Sequence, residues 1–166
     1  MPQLILMRHA KAVDRMEAED DFERGLTQRG RDDARRAAEA MASAGLKADQ
    51  ALVSPARRTR ETWAIVADTL GAPPVSDPLA LYHASASMLA RAVMEALDAG
   101  AQSIVVVGHN PGLGGLAHDL AGTGERARAM PAGWPTSAAA AFDIAPGVKS
   151  LNALALTFAF DPKAAR

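Results

Sequence analysis

Two short stretches of the chain are apolar at every position, and both stop at the same kind of residue. Leu4-Ile5-Leu6-Met7 runs into Arg8-His9-Ala10, and Ile104-Val105-Val106-Val107 runs into Gly108-His109-Asn110-Pro111. A short run without polar alternation predicts a strand buried on both faces, as in a parallel sheet covered by helices. Elsewhere the spacing becomes helical. Thr27 is a predicted N-cap for a first helix through Ala34 to Ala44, with Asp32 and Asp33 early in it and Gly45 as its stop. A short second strand, Ala51-Leu52-Val53, leads to Ser54-Pro55, which reads as an N-cap followed by proline at the first helical position. That second helix is predicted to continue through Trp63, Ile65 and Val66 to Leu70. A third helix spans about Met88 to Leu97, and a short fourth Leu113 to Leu120.

The segments in between are polar or rich in turn residues. Val13 to Gly25 carries Asp14, Arg15, Glu17, Glu19, Asp20, Asp21, Glu23 and Arg24 and reads as a loop beside the C-terminal edge of the first strand. Leu79 to Ser87 reads as a connection holding the pair Tyr82-His83, and Gly122 to Pro135 as a loop. The chain closes on two predicted strands, Ala138 to Ile144 and Leu151 to Phe160; Leu154, Leu156, Phe158 and Phe160 are expected on one face of the last. The Pro146-Gly147 turn predicts that these two pair as a hairpin. No linker or repeat interrupts the 166 residues. The expectation is one α/β domain over residues 1–166, a three-layer sandwich. Its mostly parallel central sheet is flanked by helices, the C-terminal hairpin makes it mixed, and the last few residues are expected to be disordered.

Composition narrows the function classes. A net charge of −1 gives no electrostatic case for nucleic acid or a membrane surface. No apolar run approaches the ~20 residues that cross a bilayer, and the N-terminus lacks the pattern of a secretory signal. Cysteine is absent, which removes disulfides, thiolate chemistry and cysteine-type zinc sites. A cytoplasmic location is the expectation. Neither membrane nor nucleic acid is expected as a partner, and nothing indicates an oligomeric state.

The candidate chemistry lies at the strand ends. In open α/β sheets the ligand crevice lies at the C-terminal edge of the strands. His9 and His109 end two strands there, and a third is followed by the start of the second helix with Arg57 and Arg58. Helical geometry separates those two arginines. Thr59, Thr62, Trp63, Val66 and Leu70 form the buried stripe; at ~100° per residue, Arg57 falls opposite it and Arg58 at its edge. Arg58 can therefore snorkel toward the crevice while Arg57 faces solvent. Two imidazoles, two or more guanidiniums and a helix N-terminus make an anion site, most naturally for phosphate.

On these residues the chain resembles the histidine phosphatase superfamily, which includes the cofactor-dependent phosphoglycerate mutases. The resemblance rests on R-H-A at Arg8 to Ala10, L-T-Q-R-G at Leu26 to Gly30, V-S-P-A-R-R at Val53 to Arg58 and G-H-N-P at Gly108 to Pro111. Short length, the R-H-A variant and Arg24 before the L-T element are most similar to the small bacterial phosphohistidine phosphatases. The resemblance implies that His9 is the nucleophile and Arg8 a phosphate-binding arginine. Arg58, His109 and Arg24 match further phosphate-binding positions, and Asn110, next to His109, joins them as a candidate. It implies a phosphohistidine intermediate on His9 that water then hydrolyses. No metal and no other cofactor is called for.

The departures also inform. Ala10 stands where R-H-G members have glycine. Larger members place a Glu after the third strand or an Asp directly after the second His; here the chain reads Leu79-Ala-Leu-Tyr-His83 and His109-Asn110. Without a carboxylic acid, an alkoxide leaving group is poorly served, whereas the nitrogen of a phosphoramidate protonates more readily. This favours phosphohistidine on a protein over phosphoserine, phosphothreonine or small phosphate esters, and it weighs against a mutase. Tyr82, His83 or a carboxylate of the 14–23 loop could supply a proton, although His83 reads first as a surface loop residue. A short chain with few insertions is also expected to leave an open, shallow site, which suits a phosphorylated protein more than a small phosphorylated substrate.

Other readings are weaker. Gly112-Leu-Gly114-Gly115-Leu-Ala117 imitates a dinucleotide motif, but it starts too far from its strand and lacks the later acidic strand end. Its glycines read as close helix packing against the sheet. His109 and His118 have no third ligand nearby, and the acidic run Glu17 to Asp21 reads as a solvated loop. A non-catalytic phosphoprotein-binding module on the same fold would keep the arginines but would need neither His9 nor His109.

Overall fold

A computed structural model describes residues 2–164, apart from the side chain of Arg126. Six strands form one sheet: β1 (Gln3–Arg8), β2 (Gln50–Val53), β3 (Val75–Ser76), β4 (Ser103–Gly108), β5 (Ala139–Asp143) and β6 (Ala155–Phe160), in the order β3-β2-β4-β1-β5-β6. β1, β2, β3 and β4 run parallel, while β5 is antiparallel to both β1 and β6, so the sheet is mixed as expected.

Side chains alternate between two cores. Leu4, Leu6, Ile104 and Val106 pack against α3 (Ala86–Asp98) and α4 (Gly112–Ala121) on one face. Ile5, Met7, Val105 and Val107 pack against α1 (Gln28–Ser43) and α2 (Arg57–Val66) on the other. The central strands are therefore continuous apolar runs because helices cover both faces. Each large side chain buried this way contributes roughly 1.5–3 kcal/mol. Thr27 caps α1, its Oγ1 accepting from Gly30 N at 3.0 Å, and Gly45 turns the chain at φ +72°.

Several boundaries differ from the sequence expectation. α2 begins at Arg57, after Ala56, so Ser54 is not its cap; its hydroxyl has another partner, described below. α3 starts at Ala86 with Ser85 as its cap. The two-residue strand β3 has no hydrophobic pattern and was not legible, and the Gly122–Pro135 loop contains a short helix, α5 (Glu125–Arg128). The connection from β5 to β6 spans 144–154 rather than a tight turn. Leu154, Leu156, Phe158 and Phe160 do not share a face. A bulge between Ala141 and Phe142 shifts the pairing, so Leu154 and Leu156 join the α3/α4 core while Phe158 and Phe160 join the α1/α2 core. The expected disorder at the C-terminus concerns residues of which Ala165 and Arg166 lie outside the described ones. Among the described residues, no helix is long and apolar enough to cross a membrane.

Candidate active site

Register builds the floor of the site. Arg8 pairs with Gly108 across β1 and β4, and Val53 pairs with Val107 across β2 and β4. The next residue of each chain, His9, His109 and Ser54, therefore emerges side by side at the C-terminal edge. The two imidazoles are buried, with ring centroids 5.3 Å apart. His9 Nδ1 lies 2.8 Å from the Ala10 carbonyl. A carbonyl only accepts, so Nδ1 carries the proton and Nε2 keeps its lone pair. Ala56 N–H donates to Ser54 Oγ at 3.4 Å, and His109 Nε2 lies 2.7 Å from the same oxygen. The other ring nitrogen of His109, Nδ1, is buried without a protein partner.

Guanidiniums surround the pair. Arg58 is 3% exposed and Arg57 faces solvent against Glu61, as the helical spacing predicts. Arg8 Nη1 donates to the Trp134 carbonyl at 3.0 Å. The Nε atoms of Arg8 and Arg58 are buried without a partner. Orphaned buried donors are rare in proteins, and a cluster of them suits an oxyanion. Burial, followed by the charges of Arg58, Arg8 and Arg24, pushes the His9 pKa down to about 3, against the Ala10 hydrogen bond that raises it. His109 is likewise lowered to about 3 by burial, then by His9, Arg58 and His83, with Asp21 opposing. Near neutral pH both rings are uncharged, and a neutral imidazole with a free Nε2 can attack phosphorus.

The rim comes from two loops. The 13–25 segment is pinned at its base by the Ala12–Leu26 bridge, and two short 3-10 turns, Arg15–Glu17 and Asp21–Glu23, shape it. Arg24 Nε donates to the Val13 carbonyl at 2.8 Å, and Arg24 Nη1 donates to Asp21 Oδ1 at 3.0 Å. Arg58 donates from Nη1 to the Asp21 carbonyl at 2.8 Å and from Nη2 to Asp21 Oδ2 at 3.1 Å. The Tyr82 hydroxyl also donates to Asp21 Oδ2, and His83 Nε2 lies 3.4 Å from it. Burial alone would raise the Asp21 pKa; the hydrogen bonds from Tyr82 and Arg24 and the Arg58 charge outweigh it and hold the carboxyl well below its usual range.

All of the sequence candidates thus come to one end of the sheet, with Arg24 at the rim. Asn110 is engaged in the loop, donating to the Trp134 carbonyl at 2.9 Å and accepting from Gly114 N at 3.0 Å, so its first service is to brace the residues beside Arg8. The glycines after it serve close packing, but Gly112 and Gly115 lie against the chain entering α3 and Gly114 against Asn110 and Trp134, rather than against the sheet. A Cβ on Gly112 would lie 1.9 Å from the Ala84 carbonyl. Sequence reasoning missed the role of Ser54, which it reads as a helix cap, and it names a carboxylate of the 14–23 loop without singling out Asp21, because the acidic run has no periodicity. Among the described residues, no group of three or more His, Asp or Glu is placed to hold a metal ion.

The sequence profile of the histidine phosphatase superfamily (branch 1) matches residues 4–79. No curated protein sequence matches the chain. Among solved structures, a SixA protein of Agrobacterium tumefaciens assigned as a phosphohistidine phosphatase is 27% identical, with 96% of this chain and 97% of that one covered at a TM-score of 0.79. The protein histidine phosphatase SixA in complex with tungstate is 24% identical, with 99% of each chain covered at 0.81. An Escherichia coli protein assigned as an alpha-ribazole-5'-P phosphatase is 18% identical over 95% of this chain and all of its own, at 0.62. Over residues 4–79 the chain is similar to the histidine phosphatase superfamily, and over nearly its whole length its fold is similar to that of the SixA phosphohistidine phosphatases.

Proposed function

We propose that the protein is a metal-independent phosphatase that forms a phosphohistidine on His9, and that its substrate is phosphohistidine carried on a protein. The observation that carries the reading is His9 itself. Its Nδ1 is tied to the Ala10 carbonyl, its Nε2 is free, and burial beside Arg58 and Arg8 keeps it unprotonated.

In the proposed reaction His9 Nε2 attacks phosphorus in line, the bond to the leaving group breaks, and water then hydrolyses the phosphoenzyme. Arg8, Arg58, Arg24 and His109 hold the non-bridging oxygens and stabilise the charge that spreads over them in the transition state. Arg58 is bound to Asp21 without substrate, so an entering phosphoryl group exchanges with that carboxylate for the guanidinium. Asn110 keeps the Trp134 carbonyl in place for Arg8. A SixA relative was solved in complex with tungstate, a tetrahedral oxyanion like phosphate, which supports a fold that binds phosphate.

The protein substrate is supported by the SixA likeness and by the absence, among the described residues, of a carboxylic acid poised to protonate an alkoxide. Asn110 replaces one, and Asp21 is held ionised. The test compares kcat/KM on a phosphohistidine-bearing protein domain, a phosphoserine peptide and small sugar phosphates, each with and without a chelator. Preference for the phosphohistidine domain, unchanged by chelation, is expected. Preference for sugar phosphates would overturn the protein substrate, and loss of turnover on chelation would overturn the metal-independent route.

A further inference from the structure

His83 stands in an unusual backbone position. Its φ is +59°, a left-handed conformation that non-glycine residues adopt at a cost, and such strain collects at functional sites. The next residue packs tightly. Gly112, four residues beyond Gly108, lets the Ala84 carbonyl approach to where a Cβ would stand, so the 83–85 backbone lies against the loop that carries His109.

The result is an imidazole set over the site. The His83 ring stacks on Tyr82 at 4.0 Å and lies 5.3 Å from the His109 ring. Its Nε2 is 3.4 Å from Asp21 Oδ2, which leaves Nδ1 available. Its side chain is 55% exposed, whereas His9 and His109 are buried in the floor. A leaving group attached to its carrier protein can reach only the exposed side of such a site.

We propose that His83 is the acid that protonates the leaving group, oriented by the Asp21 carboxylate as the orienting carboxylate of a catalytic triad orients its histidine. This rests on the phosphatase reading above. The other candidates are engaged otherwise. The Asp21 carboxyl is held ionised by Arg24, Arg58 and Tyr82, the Tyr82 hydroxyl donates to Asp21, and the Asn110 amide is not an acid.

The step balances. As His9 Nε2 forms its bond to phosphorus, the bond between phosphorus and the leaving nitrogen or oxygen breaks, and its electron pair stays on that atom. The proton on His83 goes to the leaving atom. In the second step water attacks the phosphoenzyme, gives its proton to His83, and His9 departs from phosphorus as neutral imidazole. With a phosphohistidine substrate, donor and acceptor are the same kind of group, so the proton moves between near equals. This identifies what the missing carboxylic acid is replaced by.

The experiment measures kcat/KM for wild type, His83→Gln and His83→Ala on p-nitrophenyl phosphate, which needs no acid, and on phenyl phosphate, which does. The expected result is a loss of about 100-fold or more on phenyl phosphate, with less than about threefold lost on p-nitrophenyl phosphate. Equal losses on both substrates would give His83 a structural or binding role and overturn the proposal, as would no loss on either. Retained labelling of His9 by p-nitrophenyl phosphate in the variants reports that the floor still folds. If the wild type neither turns over nor labels on His9, the phosphatase reading fails first and takes this proposal with it.

Discussion

The floor of the site and its rim differ in how they are held. His9, His109 and Ser54 follow three parallel strands in register, so backbone pairing fixes their spacing, and both histidines are buried. Asp21, Arg24, Tyr82 and His83 come from two loops that meet through side chains, and they stay partly open to solvent. The floor is preorganised for the one event every substrate shares, attack on phosphorus. The rim meets what varies, the leaving group and its carrier. Arg58 belongs to both, since it is buried with the floor and bound to Asp21 of the rim.

That shared position makes Arg58 the sharpest place to break the comparison. Arg58→Lys keeps the charge but loses the fork that reaches Asp21, and kcat/KM with p-nitrophenyl phosphate is expected to fall about 100-fold. A loss under threefold would mean that the floor works without it.

The floor can also be read through stability. His9 and His109 have folded pKa values near 3 against 6.5 for the free side chain. Between those values the unfolded chain binds protons that the folded chain does not, so stability falls as pH drops below 6.5. The slope is up to about 1.4 kcal/mol per pH unit for each histidine. The urea midpoint is expected to fall between pH 7.5 and pH 5, and the fall is expected to shrink in His109→Asn. A flat midpoint would contradict the buried neutral pair.

For the rim, the charge on Asp21 repels an incoming phosphate dianion. At about 5 Å in a water-like dielectric each of its two charges is worth about 0.8 kcal/mol, together a factor of about 16. Asp21→Asn is therefore expected to tighten inhibition by inorganic phosphate by up to about 16-fold; weaker inhibition would show that Asp21 chiefly positions Arg58. The smallest effect is assigned to Arg57, next in sequence but exposed and paired with Glu61. Arg57→Ala is expected to leave kcat/KM within about twofold and to change stability by under about 0.5 kcal/mol, measured by urea unfolding.

The same division explains what the sequence could reveal. Apolar runs ending in His9 and His109 specify both the strands and the edge they point to, and helical spacing separates Arg57 from Arg58. Ser54 was misread because a serine before proline looks the same whether it caps a helix or holds a histidine; only the neighbouring strand, 55 residues away, decides. Tyr82 and His83 gave no periodic signal, since their place depends on a backbone contact with Gly112. The split of β6 between two cores was illegible for a related reason. A bulge resets which face alternate residues take, and Thr157, whose hydroxyl donates to the Ala141 carbonyl at 3.2 Å, carries no mark of it.

The central claim is that His9 carries the phosphoryl group. Enzyme quenched during turnover of a 32P-labelled phosphohistidine domain, then digested and mapped, tests it directly. The account predicts label on the peptide containing His9, labile to acid and stable to alkali, and at least a 10,000-fold drop in turnover in His9→Ala, about the scale seen when a nucleophile is removed. Turnover in His9→Ala equal to wild type, or label that is stable to acid or lies on another residue, would contradict it.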